Sequence, residues 1–233
     1  MSPPEQGGLL CESCAPERLP LPLCLRCGKP QAHCACAGRE WAADGMLGAL
    51  AHKGKVRAAV LRLRKTPDQR IVRFFAREML AAMQQHWPGL QVDLVAEVPR
   101  HPEKIARRGF NQAELLAAEL ASMLGAKHAV RVLACLGGQA ENLPDKEKFA
   151  AAQDRYALQI MGGAGKAVLL VDDVLGSGAT ANACAGRLLD GGADSVHVLC
   201  GTAQVGKQGQ QAESGPTPGD DPLPDLRDMI PGL

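Results

Sequence analysis

The chain has 233 residues, of which 46% are hydrophobic, and its formal net charge is +1 at pH 7. That length supports one full domain with a small appendage, and the near-zero charge says little about partners because it averages over unequal segments. No apolar run could span a bilayer, and the start "MSPPEQGGLL" lacks the basic first residues and apolar centre of a signal peptide, so no membrane insertion is expected and a cytoplasmic location is the default.

Six of the nine cysteines fall in residues 1–40, as Cys11-x-x-Cys14, Cys24-x-x-Cys27 and His33-Cys34-x-Cys36. An odd total with paired spacing and no secretion signal fits metal binding better than disulfides. Two CxxC knuckles can close one tetrahedral zinc site. A small zinc-ribbon-like module over 1–40 is therefore expected, with Cys11, Cys14, Cys24 and Cys27 holding one structural zinc. A second site would be short of ligands, although His33 lies beside Cys34 and Cys36. Cys135, Cys184 and Cys200 sit in apolar surroundings and read as small core residues.

From 41 to 203 helical and strand-like patterns alternate. "MLGALAHKGKVRAAVLRLRK" reads as a helix, as does "PDQRIVRFFAREMLAAMQQHW", where Ile71, Phe74, Phe75, Met79 and Ala82 recur at three- and four-residue spacing. The segment 53–77 carries nine Lys or Arg against only Asp68. Such a stripe can follow a nucleic-acid backbone or simply be a solvated helix face, and the 3% aromatic content leaves little for base stacking. "VDLVAEV" reads as a strand, and "NQAELLAAELASMLG" as a helix capped by Asn111 that buries Ala113, Leu116, Ala117, Leu120 and Leu124. A strand at 167–171, a helix at about 180–190 and a strand at "SVHVLC" complete a βαβ unit. The expected class is α/β, a parallel sheet flanked by helices. Residues 204–233, rich in Gly, Pro, Gln and Asp, are expected to form a disordered acidic tail.

"VLLVDDVLGSGAT" ends a buried strand at Asp172 and Asp173. In such sheets ligands sit beyond the carboxyl ends of the strands. Gly176 and Gly178 let the backbone approach a ligand, Ser177 and Thr180 add hydroxyls, and the helix starting near Ala179 offers an anion site. Adjacent carboxylates are acceptors and suit the vicinal hydroxyls of a ribose, so the stretch describes a sugar phosphate, with its diol on the acids and its 5′-phosphate in the loop. "GSGATA" also matches a dinucleotide-binding variant, but two acids intervene after the strand and no later strand ends in a carboxylate. Across the sheet, "EVPRHPEKIARRGF" crowds Lys104, Arg107 and Arg108 into one segment, with Gly109 permitting a turn; guanidinium groups suit bidentate phosphate contacts.

"VLLVDDVLGSGAT" resembles the phosphoribosyl pyrophosphate (PRPP) signature of the type I phosphoribosyltransferases. "RRGFNQAELLA" after a "VP" turn, together with the cysteine module, narrows the resemblance to the ComF family, over most of residues 11 to 203. The resemblance implies a type I phosphoribosyltransferase-like sheet and Mg-dependent displacement of pyrophosphate from PRPP by a nitrogen nucleophile. It assigns the ribose hydroxyls to Asp172 and Asp173 and the 5′-phosphate to Gly176, Ser177, Gly178, Ala179 and Thr180. Pyrophosphate would fall to Val98, Pro99, Arg100, Lys104, Arg107, Arg108 and Gly109, and Asp172, Asp173, Arg107 and Arg108 would carry catalysis. It also implies a setting in competence and DNA uptake, with single-stranded DNA or the uptake helicase machinery as partners. A non-catalytic PRPP- or nucleotide-sensing module is the alternative. The chain departs from the family at Arg64-Lys65, where a lysine-phenylalanine pair is usual, and over 139–156. There Gln139 and Leu143 are retained, but the usual Arg and Asn are missing and Lys146, Lys148 or Arg155 would stand in. PRPP affinity with slow transfer is the expectation.

Overall fold

The computed structural model describes residues 18–34, 36–137, 145–159 and 163–205. Cys11 and Cys14, Gln139 and Leu143, the side chain of Lys146 and nearly all of the expected tail lie outside them. Five strands form a parallel sheet in the order β3 (Gly45–Ala51), β9 (Ser195–Ala203), β8 (Ala167–Leu175), β4 (Leu94–Glu97), β5 (Lys127–His128). Two antiparallel pairs flank it: β1 (Leu23–Cys24) with β2 (Lys29–Pro30), and β6 (Leu133–Cys135) with β7 (Tyr156–Leu158).

Both faces of the sheet are covered. Leu169 and Val171 of β8 point to one face, with α1 (Gly54–Leu63), α2 (Gln69–His86) and α4 (Gln112–Leu124). Val168 and Leu170 point to the other, with α6 (Ala179–Asp190) and residues of the cysteine segment. A strand buried on both sides reads as a continuous apolar run, which is what "VLLV" is. In α2, Asp68 caps the first turn by accepting from the Arg70 amide at 3.1 Å, and the five expected apolar positions are all buried. In α4, Asn111 accepts from the Ala113 amide at 3.2 Å, and Gly125 ends the helix at φ 65°.

The segment that opens "MLGALA" is not helical. It forms β3, and only from Gly54 does the helix begin. A short run that is apolar on every side fits a strand buried on both faces as well as a helix. Gly48 shows what decides it: a Cβ there would lie 2.5 Å from the Cβ of Ala203 on the neighbouring strand.

The chain moves outward from β4 to β5 and in the opposite direction from β8 to β9, so the order reverses between β4 and β8. Ligands in open parallel sheets bind in the crevice outside such a switch point.

Candidate functional site

A cleft of about 610 Å³ opens at that switch point. From β4 it is lined by Val98, Pro99, Arg100 and His101, and from β8 and the start of α6 by Asp172, Asp173, Gly176, Ser177, Gly178, Ala179 and Thr180. The two sequence stretches expected to bind opposite ends of one ligand thus face a common space.

The acids sit differently from expectation. β8 does not stop at Val171 but continues to Leu175, pairing Asp172 with Cys200 and Val174 with Thr202 of β9. On its other side the pairing with β4 ends at Val171, opposite Glu97. The acids are therefore inside the strand with respect to β9 and beyond the end of β4.

Asp173 is only 3% exposed, and its carboxylate accepts three hydrogen bonds from protein groups. Arg64, at the end of α1, donates to it from Nε at 2.5 Å and Nη2 at 3.0 Å, and Gln112 donates from Nε2 at 3.1 Å. Arg100 in turn donates to Oε1 of Gln112. Burial alone would push the Asp173 carboxyl up, but the Arg64 hydrogen bonds and charge outweigh it and hold it below the ordinary carboxylate value. Asp172 goes the other way, pushed well above that value by burial and then by the charge of Asp173. Its Oδ1 accepts from the Asp173 amide at 2.8 Å.

Gly178 precedes α6 at φ 83°, a conformation glycine adopts without strain, and a Cβ there would lie 2.8 Å from Cζ3 of Trp41. The turn is thus pressed against an aromatic wall, and the Ala179 amide donates to Oγ of Ser177 at 3.4 Å.

The basic segment after β4 forms a short helix, α3 (Pro102–Arg108), with Pro102 in its first turn and Gly109 at φ 82° behind it. Its seven residues make about two turns, in which positions four apart share a face, so only part of the cationic set reaches the cleft. Arg100, Lys104 and Arg108 line it, whereas Arg107 and Gly109 do not. Burial and then the nearby Arg108 lower the pKa of Arg100, a sign of crowded cations. Helix α5 (Asp145–Gln153) and its exit add Lys148 and Arg155, two of the three expected stand-ins, and Lys29 enters from the cysteine segment. Seven Lys or Arg side chains thus surround two carboxylates in the lining. The Nε of Arg155 is buried without a hydrogen-bond partner.

Arg64, Gln112 and Lys29 were not among the expected site residues. Gln112 lies inside "RRGFNQ", and Arg64 inside the basic stripe, where a cation serving a buried acid looks the same as a solvated one. The stripe is also less open than it reads: Arg62 and Arg70 lie against Asp68, and Arg73 lies 3.8 Å from Glu119.

Of the expected quartet, Cys24 and Cys27 lie among the described residues, and there they meet Cys34 and Cys36. The Sγ atoms of Cys24, Cys27, Cys34 and Cys36 all lie within 4.8 Å of one another, so His33 is not needed and the contracted Cys34-Ala35-Cys36 pair supplies the second corner. Gly28, at φ 69°, donates its amide to the Cys24 carbonyl at 2.8 Å, the turn of a metal knuckle. Burial pushes Cys36 up, whereas backbone and thiol hydrogen bonds outweigh burial at Cys24 and bring it down to about 7. Four converging thiols, one of them readily ionised, are a donor set that fits zinc.

No family model matches the chain. The chain is 28% identical over 204 residues to the DNA utilization protein YhgH of Salmonella typhimurium, covering 82% of this chain and 88% of that one. The ComF-type resemblance is borne out. Among solved structures, the allosteric regulatory enzyme of purine biosynthesis is 22% identical with a TM-score of 0.37, over 56% of this chain. The chain spans only 25% of that enzyme's length. An adenine phosphoribosyltransferase from Thermoanaerobacter pseudethanolicus is 21% identical with a TM-score of 0.36, over 57% of this chain and 68% of that one. Among the described residues no helix is long and apolar enough to cross a membrane.

Proposed function

We propose that the chain binds PRPP in this cleft as a ComF-like, phosphoribosyltransferase-type protein. One observation carries the proposal: the acid pair with its glycine turn and the cationic segment after β4 face each other across the switch point. The turn and the first amides of α6 would take the 5′-phosphate, and Asp172 the ribose hydroxyls. Arg100, Lys104 and Arg108 would take the pyrophosphate. A magnesium ion carried on the ligand's own oxygens would share the neutralisation of the pyrophosphate, with Asp172 as the nearby acidic donor.

In transfer, a nitrogen lone pair forms a bond to C1 of the ribose, the bond from C1 to the pyrophosphate oxygen breaks, and pyrophosphate leaves with the electron pair. The chain's contribution is positioning and cationic charge around the leaving group. Arg155 and Lys148, which line the cleft from the α5 segment, would serve that departure. The process served is DNA utilization, by analogy with the Salmonella relative, and the basic residues of α1 and α2 would be the surface for single-stranded DNA.

A pyrophosphate-release assay with PRPP, magnesium and a panel of nucleobases tests the proposal once binding is established. Saturable PRPP binding with slow release is expected, and Arg155→Ala should slow release more than it weakens binding. Absence of PRPP binding by the folded, zinc-loaded chain would overturn it. Binding without any release would favour the sensing alternative.

A further inference from the structure

The resemblance gives Asp172 and Asp173 one shared task, but their surroundings separate them. Asp173 has two carboxylate oxygens, and both are taken: Oδ1 by Arg64 Nη2, and Oδ2 by Arg64 Nε and Gln112 Nε2. Gln112 also accepts from Arg100, so one buried carboxylate holds two guanidinium groups, Arg64 directly and Arg100 through an amide. Arg64, Arg100 and Gln112 all line the cleft, on the side of the basic segment that includes Arg108. Bidentate pairing fixes a guanidinium in plane and direction, and an uncompensated buried carboxylate would be costly, so the pair is strongly coupled. A ribose hydroxyl would have to compete with these three donors for a carboxylate that is only 3% exposed.

Resting on the PRPP reading above, we infer that Asp173 is a positioning residue for the pyrophosphate half of the site, and that Arg64 is a further pyrophosphate-binding residue. Asp172 alone serves the ribose hydroxyls. Arg64 comes from α1, a helix outside both signature stretches, and adds its charge to that of Arg100 and Arg108. The position where the family usually carries a lysine-phenylalanine pair therefore still supplies a cation to the cleft.

The test compares two probes, PRPP and ribose 5-phosphate, by ligand-induced thermal shift and equilibrium dialysis on the full zinc-loaded chain. Arg64→Ala should weaken PRPP roughly tenfold to a hundredfold, the range of one or two charge-assisted hydrogen bonds, while changing ribose 5-phosphate about threefold or less. Arg64→Lys should recover part of the PRPP loss. Asp173→Asn should reproduce the Arg64→Ala pattern, and the double variant should be little worse than either single one. Asp172→Asn should remove measurable binding of both probes. If Asp173→Asn weakens ribose 5-phosphate as much as Asp172→Asn does, the inference is overturned while PRPP binding stands. If Asp173→Asn does not fold, Arg64→Ala and Arg64→Lys still decide, because equal loss of both probes would contradict the assignment. If the wild type binds neither probe, the proposed function itself fails.

Discussion

Asp172 pairs burial with a like charge on the next residue, and both push its carboxyl well above the model-peptide value of 3.8. A carboxyl with a raised folded pKa binds its proton more tightly folded than unfolded. Its contribution to stability is therefore full below the unfolded value and is lost as pH rises through the folded one. Asp172→Asn should raise the melting temperature at pH 8 by a few degrees, with the gain shrinking toward pH 4, while abolishing ribose 5-phosphate binding. A variant that melts lower at pH 8 would show that Asp172 is stabilising, contrary to this account. Accepting hydroxyl hydrogen bonds favours the ionised form, so wild-type affinity should rise with pH across the Asp172 titration. Subtracting the Asp172→Asn profile removes the ligand phosphate's own ionisation. The turn offers a second contrast. Gly178→Ala places a Cβ 2.8 Å from Trp41 at φ 83° and should cost roughly 1–3 kcal/mol in urea unfolding. Gly176→Ala meets only the Gln204 side chain at 3.5 Å and should cost much less.

Among the elements, the cysteine hairpin is joined to the sheet closely enough to shape the cleft. The Met46 amide of β3 donates to the Leu25 carbonyl at 2.7 Å, and a Cβ on Gly28 would lie 2.3 Å from Cδ2 of Leu175, at the end of β8. Past the hairpin, Arg39 stacks on Phe149 of α5 at 4.6 Å, and Phe149 meets Trp41 edge-on at 5.1 Å. Removing the metal should therefore loosen both the glycine turn and α5. Chelator-stripped protein is expected to bind PRPP several-fold more weakly, with recovery on zinc addition; unchanged affinity would show the hairpin to be independent of the cleft. Cys34→Ser should release the metal in a thiol-reactive zinc-release assay, whereas Cys11→Ser should retain it, because four thiolates saturate a tetrahedral ion. That the cysteines gather into a cluster able to hold a metal was readable from CxxC spacing. Which four thiols meet was not, because spacing along the chain does not say how the hairpin folds back to bring Cys34 and Cys36 onto Cys24 and Cys27.

For the whole molecule, the sequence carried what repeats locally: the periodicity of α2 and α4, the apolar run of β8, and the glycine turn before α6. Long-range relations were hidden. Nothing in "MLGALA" tells that β9 will lie against Gly48, so the run fits a helix as well as the strand β3. Arg64 looks like part of a surface stripe because its partner, Asp173, is 109 residues away. The basic segment was correctly placed at the cleft, but its fold into α3 turns Arg107 away while Lys104 and Arg108 stay. These relations converge on the claim that one cleft at the β4/β8 switch point holds PRPP, with Asp172 as its ribose acceptor. Isothermal titration of PRPP with magnesium into the zinc-loaded wild type and into folded Asp172→Asn tests that claim most directly. The account predicts saturable one-to-one binding by the wild type and no measurable binding by the variant; equal binding by both, or none by either, would contradict it.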